Sequence, residues 1–168
     1  MLSIMRYPNG RIVHLGCILA LVIAAAALAV AADAFYIGTW EVVSAKQGPW
    51  GDTEAWKRSA AEAKEFIGTT VTFAPKAIRG RGILTCANPK YDLKDYTADM
   101  LFQGMFGEMH ARDTAADPVK IAENVGFHGA SWKTLETGCE GMIDFHFIDR
   151  TTAAFALNNY IYILKQKR

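Results

Sequence analysis

The chain has 168 residues, 51% of them hydrophobic, and its 18 basic and 17 acidic side chains give a formal net charge of +1 at pH 7. Setting aside Arg6, Arg11 and Asp33 near the start leaves 16 residues of each sign in the remainder. A domain without net charge has no bulk attraction to nucleic acid or to an anionic membrane surface, so we expect no nucleic-acid partner.

The first 34 residues have the pattern of a cleaved secretory signal peptide. A basic start precedes an almost wholly apolar run over residues 15–28, and Ala31 and Ala34 each close a small-x-small triplet of the kind that precedes cleavage. The run of about 14 residues is shorter than the ~20 needed to span a bilayer as a helix. We expect a periplasmic or secreted domain over residues 35–168, with no stable membrane span after cleavage and with an uncleaved anchor as the alternative.

Two cysteines lie beyond the leader, Cys86 and Cys139. An even number of cysteines in an exported chain predicts one structural disulfide, and the chain-entropy model gives such a loop roughly 4 kcal/mol of stabilisation. The alternative is a pair of metal-binding thiolates. That needs further ligands at short spacing, which no C-x-x-C pair or neighbouring histidine supplies, so we expect no metal and no cofactor.

The mature chain begins with a strand and an amphipathic helix. Residues 37–45 alternate between two faces as a strand does, and turn-forming residues at 46–51 end it. Asp52 then has the character of an N-cap, and apolar residues at helical spacing predict a helix over residues 53–67. Gly68 follows as a typical C-terminal stop.

The middle of the chain mixes strand and helix signals. β-branched residues predict a strand over residues 69–74, and a second predicted strand over residues 77–86 contains two glycines, which are typical of bulges that curve a sheet. Residues 91–112 fit either a short helix or an ordered loop, because glycines interrupt their methionines and phenylalanines. Asp117 and Pro118 start a short helix that ends at Gly126.

The last third of the chain predicts four consecutive strands. Their connections contain Asp, Asn or Gly, as hairpins do, and the predicted strands are 130–137, 142–148, 151–157 and 160–166. The total is seven or eight strands. We therefore predict a mostly β fold, a single antiparallel up-and-down barrel with a helix after strand one and a short mid-chain helix. A flattened two-sheet sandwich is the competing architecture.

The head of the first strand, Gly38-Thr39-Trp40, resembles the G-x-W signature of the lipocalins and the wider calycin β-barrel superfamily. The resemblance implies that Trp40 plugs one end of a barrel beside a basic residue from late in the chain, Lys165 or Arg150. The helix after strand one and the mature length are similar to the fatty-acid-binding branch. Export and the predicted disulfide are similar to the secreted lipocalins.

Methionine and aromatic side chains are the candidates for a ligand surface. Flexible methionines and phenylalanines suit an adaptable apolar lid or cavity mouth, and core packing is the alternative for the same residues. The candidate ligand-binding residues are Met100, Phe102, Met105, Phe106, Met109, Trp56, Tyr160 and Tyr162.

We predict an exported, non-catalytic protein that binds a small apolar or amphipathic molecule. The alternative is a protein-binding module, such as an inhibitor of a secreted hydrolase or an envelope-complex subunit, with the loop around Trp50 as its exposed anchor. Asp144 and His146 share one strand face and form a pair able to orient an imidazole for catalysis. The favoured explanation is a partly exposed cross-strand polar pair with a structural role, so we predict no enzyme.

Overall fold

A computed structural model describes residues 34–167, and residues 36–167 belong to one compact unit. The predicted signal peptide lies outside the described residues apart from Ala34. The strands are β1 (Gly38–Gln47), β2 (Thr70–Ala74), β3 (Ala77–Arg79), β4 (Cys86–Ala87), β5 (Asp92–Tyr96), β6 (Trp132–Glu136), β7 (Phe145–Asp149), β8 (Thr152–Leu157) and β9 (Tyr160–Gln166). The helices are α1 (Thr53–Phe66), α2 (Leu101–Arg112) and α3 (Pro118–Asn124), with short 3-10 turns at Gly82–Leu84 and Ala98–Met100.

Local capping explains where α1 and α3 begin and end. Asp52 Oδ1 accepts a hydrogen bond from the Ala55 N–H at 2.8 Å, and Gly68, with φ +83°, follows the last residues of α1. Asp117 Oδ1 likewise accepts from the Val119 N–H at 2.9 Å at the start of α3. Both predicted helices are therefore confirmed, because side-chain carboxylates satisfy amide groups that the helix itself leaves without partners.

All nine strands form one antiparallel sheet in the order β4-β3-β2-β1-β9-β8-β7-β6-β5. Strands that follow one another in the chain lie side by side, except β4 and β5, which are the two edges; β1 pairs with β9. The prediction of a mostly β fold with a single antiparallel sheet is confirmed. The sheet is a curled half-barrel, because its edge strands β4 and β5 do not pair with each other. Residues 34–167 contain nine strands, because β5 lies within the stretch that the sequence left between helix and loop and because the predicted strand over residues 77–86 is divided into β3 and β4.

The sheet curls, so that one of its faces becomes an interior. The rings of Phe73 on β2 and Phe145 on β7 lie 4.8 Å apart between centroids, although three strands separate β2 from β7 in the sheet. A disulfide between Cys86 and Cys139, whose Cα atoms lie 6.0 Å apart, joins one edge strand, β4, to the segment after β6. The predicted disulfide is present, and it is compatible with an extracellular location.

The predicted strand over residues 77–86 is wrong in its middle. β3 ends at Arg79, the chain makes a 3-10 turn in which Gly82 has φ +54°, and β4 is only two residues long. The glycines therefore break the strand where they were expected to bend it. Register shifts do occur in the sheet, but they lie in β1 between Val42 and Ser44 and in β7 between Phe147 and Asp149.

The uncertain stretch over residues 91–112 contains a helix with an unusual start. Phe102, Gln103 and Gly104 all have left-handed backbone angles, with φ of +54°, +59° and +77°. Left-handed conformations cost free energy at residues other than glycine and persist only where surrounding contacts impose them. Here the Phe102 N–H donates to His146 Nε2, 3.0 Å away, which ties this left-handed turn to β7.

Candidate functional site

The concave face of the sheet is lined by a continuous series of aromatic rings. Phe145 contacts Phe73 on one side and Phe155 on the other, with centroid distances of 4.8 and 5.5 Å. Phe155 stacks on Tyr162 at 4.8 Å, and Tyr162 contacts Phe66 of α1 at 5.2 Å. All five side chains are buried. A ligand could occupy this interior only if some of these rings moved.

Trp40 is fully buried in the same interior. Its ring packs edge-on against Phe147 with centroids 5.4 Å apart, and its Nε1–H donates to the Tyr36 carbonyl at 2.9 Å. Lys165, one of its two expected basic partners, donates from Nζ to Thr152 Oγ1. Burial of Trp40 is what the calycin resemblance implies for that side chain, while membership of the superfamily stays a prediction.

The C-terminal end of α1 borders a surface cleft of about 410 Å³, which we call the mouth cleft. It is lined by Glu62, Glu65, Phe66, Arg81, Ile83 and Asn158, among others. The Arg81 guanidinium lies 5.9 Å from the centroid of the Phe66 ring and forms an ion pair with the Glu65 carboxylate. Arg81 therefore connects the β3–β4 segment to the end of α1, above a ring that contacts Tyr162.

Tyr162 carries the one polar side-chain atom that is buried without a hydrogen-bond partner within residues 34–167. Burial raises the pKa of its hydroxyl far above the ordinary value of 10.0, and the nearby Glu62 and Tyr160 raise it further. Two neighbouring candidate residues, Tyr160 and Trp56, donate hydrogen bonds to backbone carbonyls instead. The Tyr160 hydroxyl donates to the Trp56 carbonyl at 3.4 Å, and Trp56 Nε1–H donates to the Gly48 carbonyl at 3.1 Å.

The methionine and phenylalanine candidates lie on the opposite face of the sheet. Ala154 and Ile161, which alternate with Phe155 and Tyr162 along their strands, belong to a second apolar cluster that includes α2. In that cluster Leu101, Phe102 and Phe106 are buried, Met105 and Met109 are partly buried, and Met100 is 40% exposed. This arrangement separates the segment from the interior, so its predicted role as a lid receives no support from its position.

Trp50, the expected anchor for a protein partner, packs against this second cluster. Its ring lies 5.9 Å from Phe102 and 6.2 Å from Phe106 between centroids, and its Nε1–H donates to the Asn158 carbonyl at 3.0 Å. The side chain is only partly exposed. The loop that contains Trp50 is thus held against the body of the domain by apolar contacts and one hydrogen bond.

His146 is fully buried between the sheet and α2. Since Nε2 accepts from the Phe102 N–H, the ring proton is on Nδ1, which donates to Thr134 Oγ1 at 2.8 Å. Burial lowers the pKa of the imidazole to about 3, so the ring is neutral. Both ring nitrogens are thus used in hydrogen bonds inside the domain, and His146 is fully buried.

Asp144 instead faces a surface cleft of about 300 Å³, which we call the acidic cleft. Gln103, Glu136 and Met142 also line it. Burial, and after it the charge of Glu136, raise the pKa of Asp144 to about 6 against the opposing charge of Lys94. Asp144 is therefore a half-buried carboxyl group that titrates in a mildly acidic range.

Glu136 is held in its charged form by two neighbours on β5. Lys94 Nζ donates to both carboxylate oxygens, at 2.9 and 2.8 Å, and the Tyr96 hydroxyl donates at 2.7 Å. These bonds hold the pKa of Glu136 below its ordinary value. The acidic cleft thus pairs one ionised carboxylate with one whose charge depends on pH.

Sequence reasoning named Tyr162 and Asp144 but missed the residues that surround them. Glu62 and Phe66 were seen only as members of an amphipathic helix, and Arg81 lay within a predicted strand. Lys94 and Glu136 were missed together, because β5 was not recognised as a strand. The signal that could have found β5 is its cross-strand pattern, in which opposite charges at Lys94 and Glu136 lie on paired strands.

No protein-family model, curated protein or solved structure matches the chain. Among residues 34–167, no helix is both long enough and apolar enough to cross a bilayer. In the same part of the chain, no group of three or more His, Cys, Asp or Glu side chains is placed to hold a metal ion.

Proposed function

We propose that this chain is an exported, non-catalytic protein with a calycin-like barrel that binds one small apolar or amphipathic molecule. The support is structural. The sheet is curled and antiparallel, a disulfide joins its edge strand β4 to the segment after β6, and Phe66 of α1 lies between a cleft and the aromatic interior. Small barrels of this kind either fill their interior with side chains or hold one ligand there.

The unpartnered hydroxyl of Tyr162 is the observation that carries the proposal. A buried polar group without a hydrogen bond costs about 1–3 kcal/mol, and a phenylalanine at this position would fill the same space without that cost. A ligand that enters with one polar atom would give the hydroxyl its partner. The rest of the ligand would meet aromatic rings, which suit an apolar body.

Phe66 is the side chain that must move for a ligand to enter. It lines the mouth cleft on one side and contacts Tyr162 on the other. It sits at the last residue of α1, so a small shift of that helix end would displace the ring without breaking the sheet. Such a displacement would also disturb Arg81, which lies over the same ring.

The test is a titration of the mature protein with N-phenyl-1-naphthylamine, a neutral apolar probe whose fluorescence rises in apolar surroundings. We expect saturable binding with one site per chain. Phe66→Ala should accelerate association of the probe, whereas Ile67→Ala, an exposed neighbour, should leave the rate unchanged. An absence of saturable binding by the folded protein would contradict the proposal.

A protein-binding module is the second candidate function, and one observation favours it. Met142 is 76% exposed on the segment beside Cys139, and Ile83, 46% exposed, lies near it on the other side of the disulfide. The acidic cleft adjoins Met142. A partner for this surface would present apolar and basic groups. Met142→Asp should then abolish a complex that size-exclusion chromatography detects in host extract, and Val119→Asp, a control at a 49% exposed residue of α3, should not.

A further inference from the structure

The charges around the mouth cleft restrict the head group of a ligand. Two carboxylates, Glu62 and Glu65, and one guanidinium, Arg81, line this cleft. Arg81 is paired with Glu65, and its guanidinium also donates to the Glu65 carbonyl. The positive charge is therefore already balanced, and Glu62 remains as the charge that no cation lining the cleft offsets.

Glu62 also acts on Tyr162. It is half-buried, its Oε2 accepts a hydrogen bond from Asn158 Nδ2 at 2.6 Å, and its charge is felt at the buried Tyr162 hydroxyl. A carboxylate oxygen has room for further donors beside Asn158. The two groups that a ligand head would meet are thus a negative charge and a neutral hydroxyl.

The charge of a head group placed between Glu62 and Tyr162 decides whether its binding is favoured or disfavoured. An alcohol or an amine can donate a hydrogen bond to Glu62 while it accepts from or donates to the Tyr162 hydroxyl. A carboxylate or phosphate can accept from Tyr162, but it would lie beside Glu62 without a free cation to offset either charge. Since like charges brought together in a partly buried site repel strongly, the anion is disfavoured.

We propose that the ligand has an apolar body and a hydrogen-bond-donating head group, an alcohol or an amine, and that Tyr162 and Glu62 hold this head group after entry past Phe66. This inference rests on the proposed function. It adds the chemical class of ligand, and it excludes anionic amphiphiles such as fatty acids.

Three probes with the same ten-carbon chain test the inference: 1-decanol, decylamine and decanoate. Each is used below its aggregation concentration to displace N-phenyl-1-naphthylamine from the mature protein. We expect decanol and decylamine to compete, and decanoate to be roughly tenfold weaker. Glu62→Gln should raise the affinity for decanoate and so reduce the difference in affinity between decanoate and the other two probes. Glu54→Gln, an exposed acidic control on α1, should leave this difference unchanged.

The contribution of Tyr162 is tested with a matched pair of hydroxyl deletions. Tyr162→Phe should lower the affinity for decanol and for decylamine by roughly tenfold, the loss expected for one hydrogen bond. Tyr91→Phe removes a hydroxyl that donates to the Ala74 carbonyl and should leave the affinities unchanged. Decanoate binding as tightly as decanol, or affinities unaffected by Glu62→Gln and Tyr162→Phe, would overturn the inference while the carrier function stands. If neither the naphthylamine nor any of the three probes binds, the carrier function itself is wrong.

Discussion

His146 Nε2 accepts a hydrogen bond from the Phe102 N–H across 3.0 Å, and this bond joins β7 to a left-handed turn at the start of α2. The two rings also meet edge-on, with centroids 4.8 Å apart. One imidazole therefore satisfies a buried amide and packs against the residue that carries it. The bond explains how Phe102 keeps a backbone conformation that it would not adopt alone.

Replacing His146 by leucine should destabilise the domain. The substitution leaves the Phe102 N–H buried without an acceptor and the Thr134 hydroxyl without its partner, so we expect a loss of about 2–4 kcal/mol in the free energy of unfolding. Urea titration followed by tryptophan fluorescence measures it. His128→Leu, at an exposed histidine, is the control and should change stability by no more than about 0.5 kcal/mol. A His146 variant as stable as this control would show that the bond contributes nothing.

The carboxyl group of Asp144 should make stability depend on pH. Its pKa is raised to about 6 in the folded domain from 3.8, so it contributes stability below pH 3.8 that is lost as the pH rises through 6. Asp144→Asn removes this loss, so the variant should gain stability over the wild type between pH 4 and 6 and keep the gain above that. His146 is present in both proteins, so its own titration cancels in the comparison. Urea titrations at pH 4, 5, 6 and 7 that give a constant difference would contradict the prediction.

The disulfide between Cys86 and Cys139 should hold the edge strand β4 to the segment after β6. It closes a loop of 53 residues between β4 and the segment after β6, and the chain-entropy model gives this loop about 4 kcal/mol. Replacing both cysteines by alanine should reduce the free energy of unfolding by roughly that amount. Free-thiol labelling of unreduced, denatured protein should be near zero. Labelling of both cysteines would mean that they are not paired in the protein as made.

The second apolar cluster should behave as core. Phe106 is fully buried, so Phe106→Ser should cost about 3–5 kcal/mol, as the loss of a large buried side chain does. Met100→Ser, at a residue 40% exposed, is the control and should cost less than about 1 kcal/mol. Chemical unfolding of both variants compares them directly. A Phe106→Ser variant that is as stable as Met100→Ser would contradict the core interpretation and favour a loosely packed lid.

Local signals predicted most of the fold. The N-cap at Asp52, the stop at Gly68 and the Asp117-Pro118 start depend on neighbours in the sequence, and each predicted helix is present where they placed it. The four C-terminal strands also follow from hairpin residues close by. These features could be predicted because their causes lie within a few residues of their effects.

Features that depend on distant contacts could not be predicted. The left-handed turn at Phe102 needs an acceptor from His146, 44 residues away, and nothing near Phe102 indicates it. The candidate site also depends on contacts between residues that are distant in the sequence. Tyr162 was named from its strand face, but the relation of Glu62 and Phe66 to it depends on how α1 packs across the curled sheet.

Native mass spectrometry of the mature protein, purified from its own host without detergent, tests the central claim most directly. We expect a one-to-one adduct of a small molecule that carries an alcohol or amine and no acidic group. The adduct should be much reduced in Tyr162→Phe and retained in Tyr91→Phe. A wild-type protein that is folded, adduct-free and unable to take up N-phenyl-1-naphthylamine would contradict the claim that this domain is a small-molecule carrier.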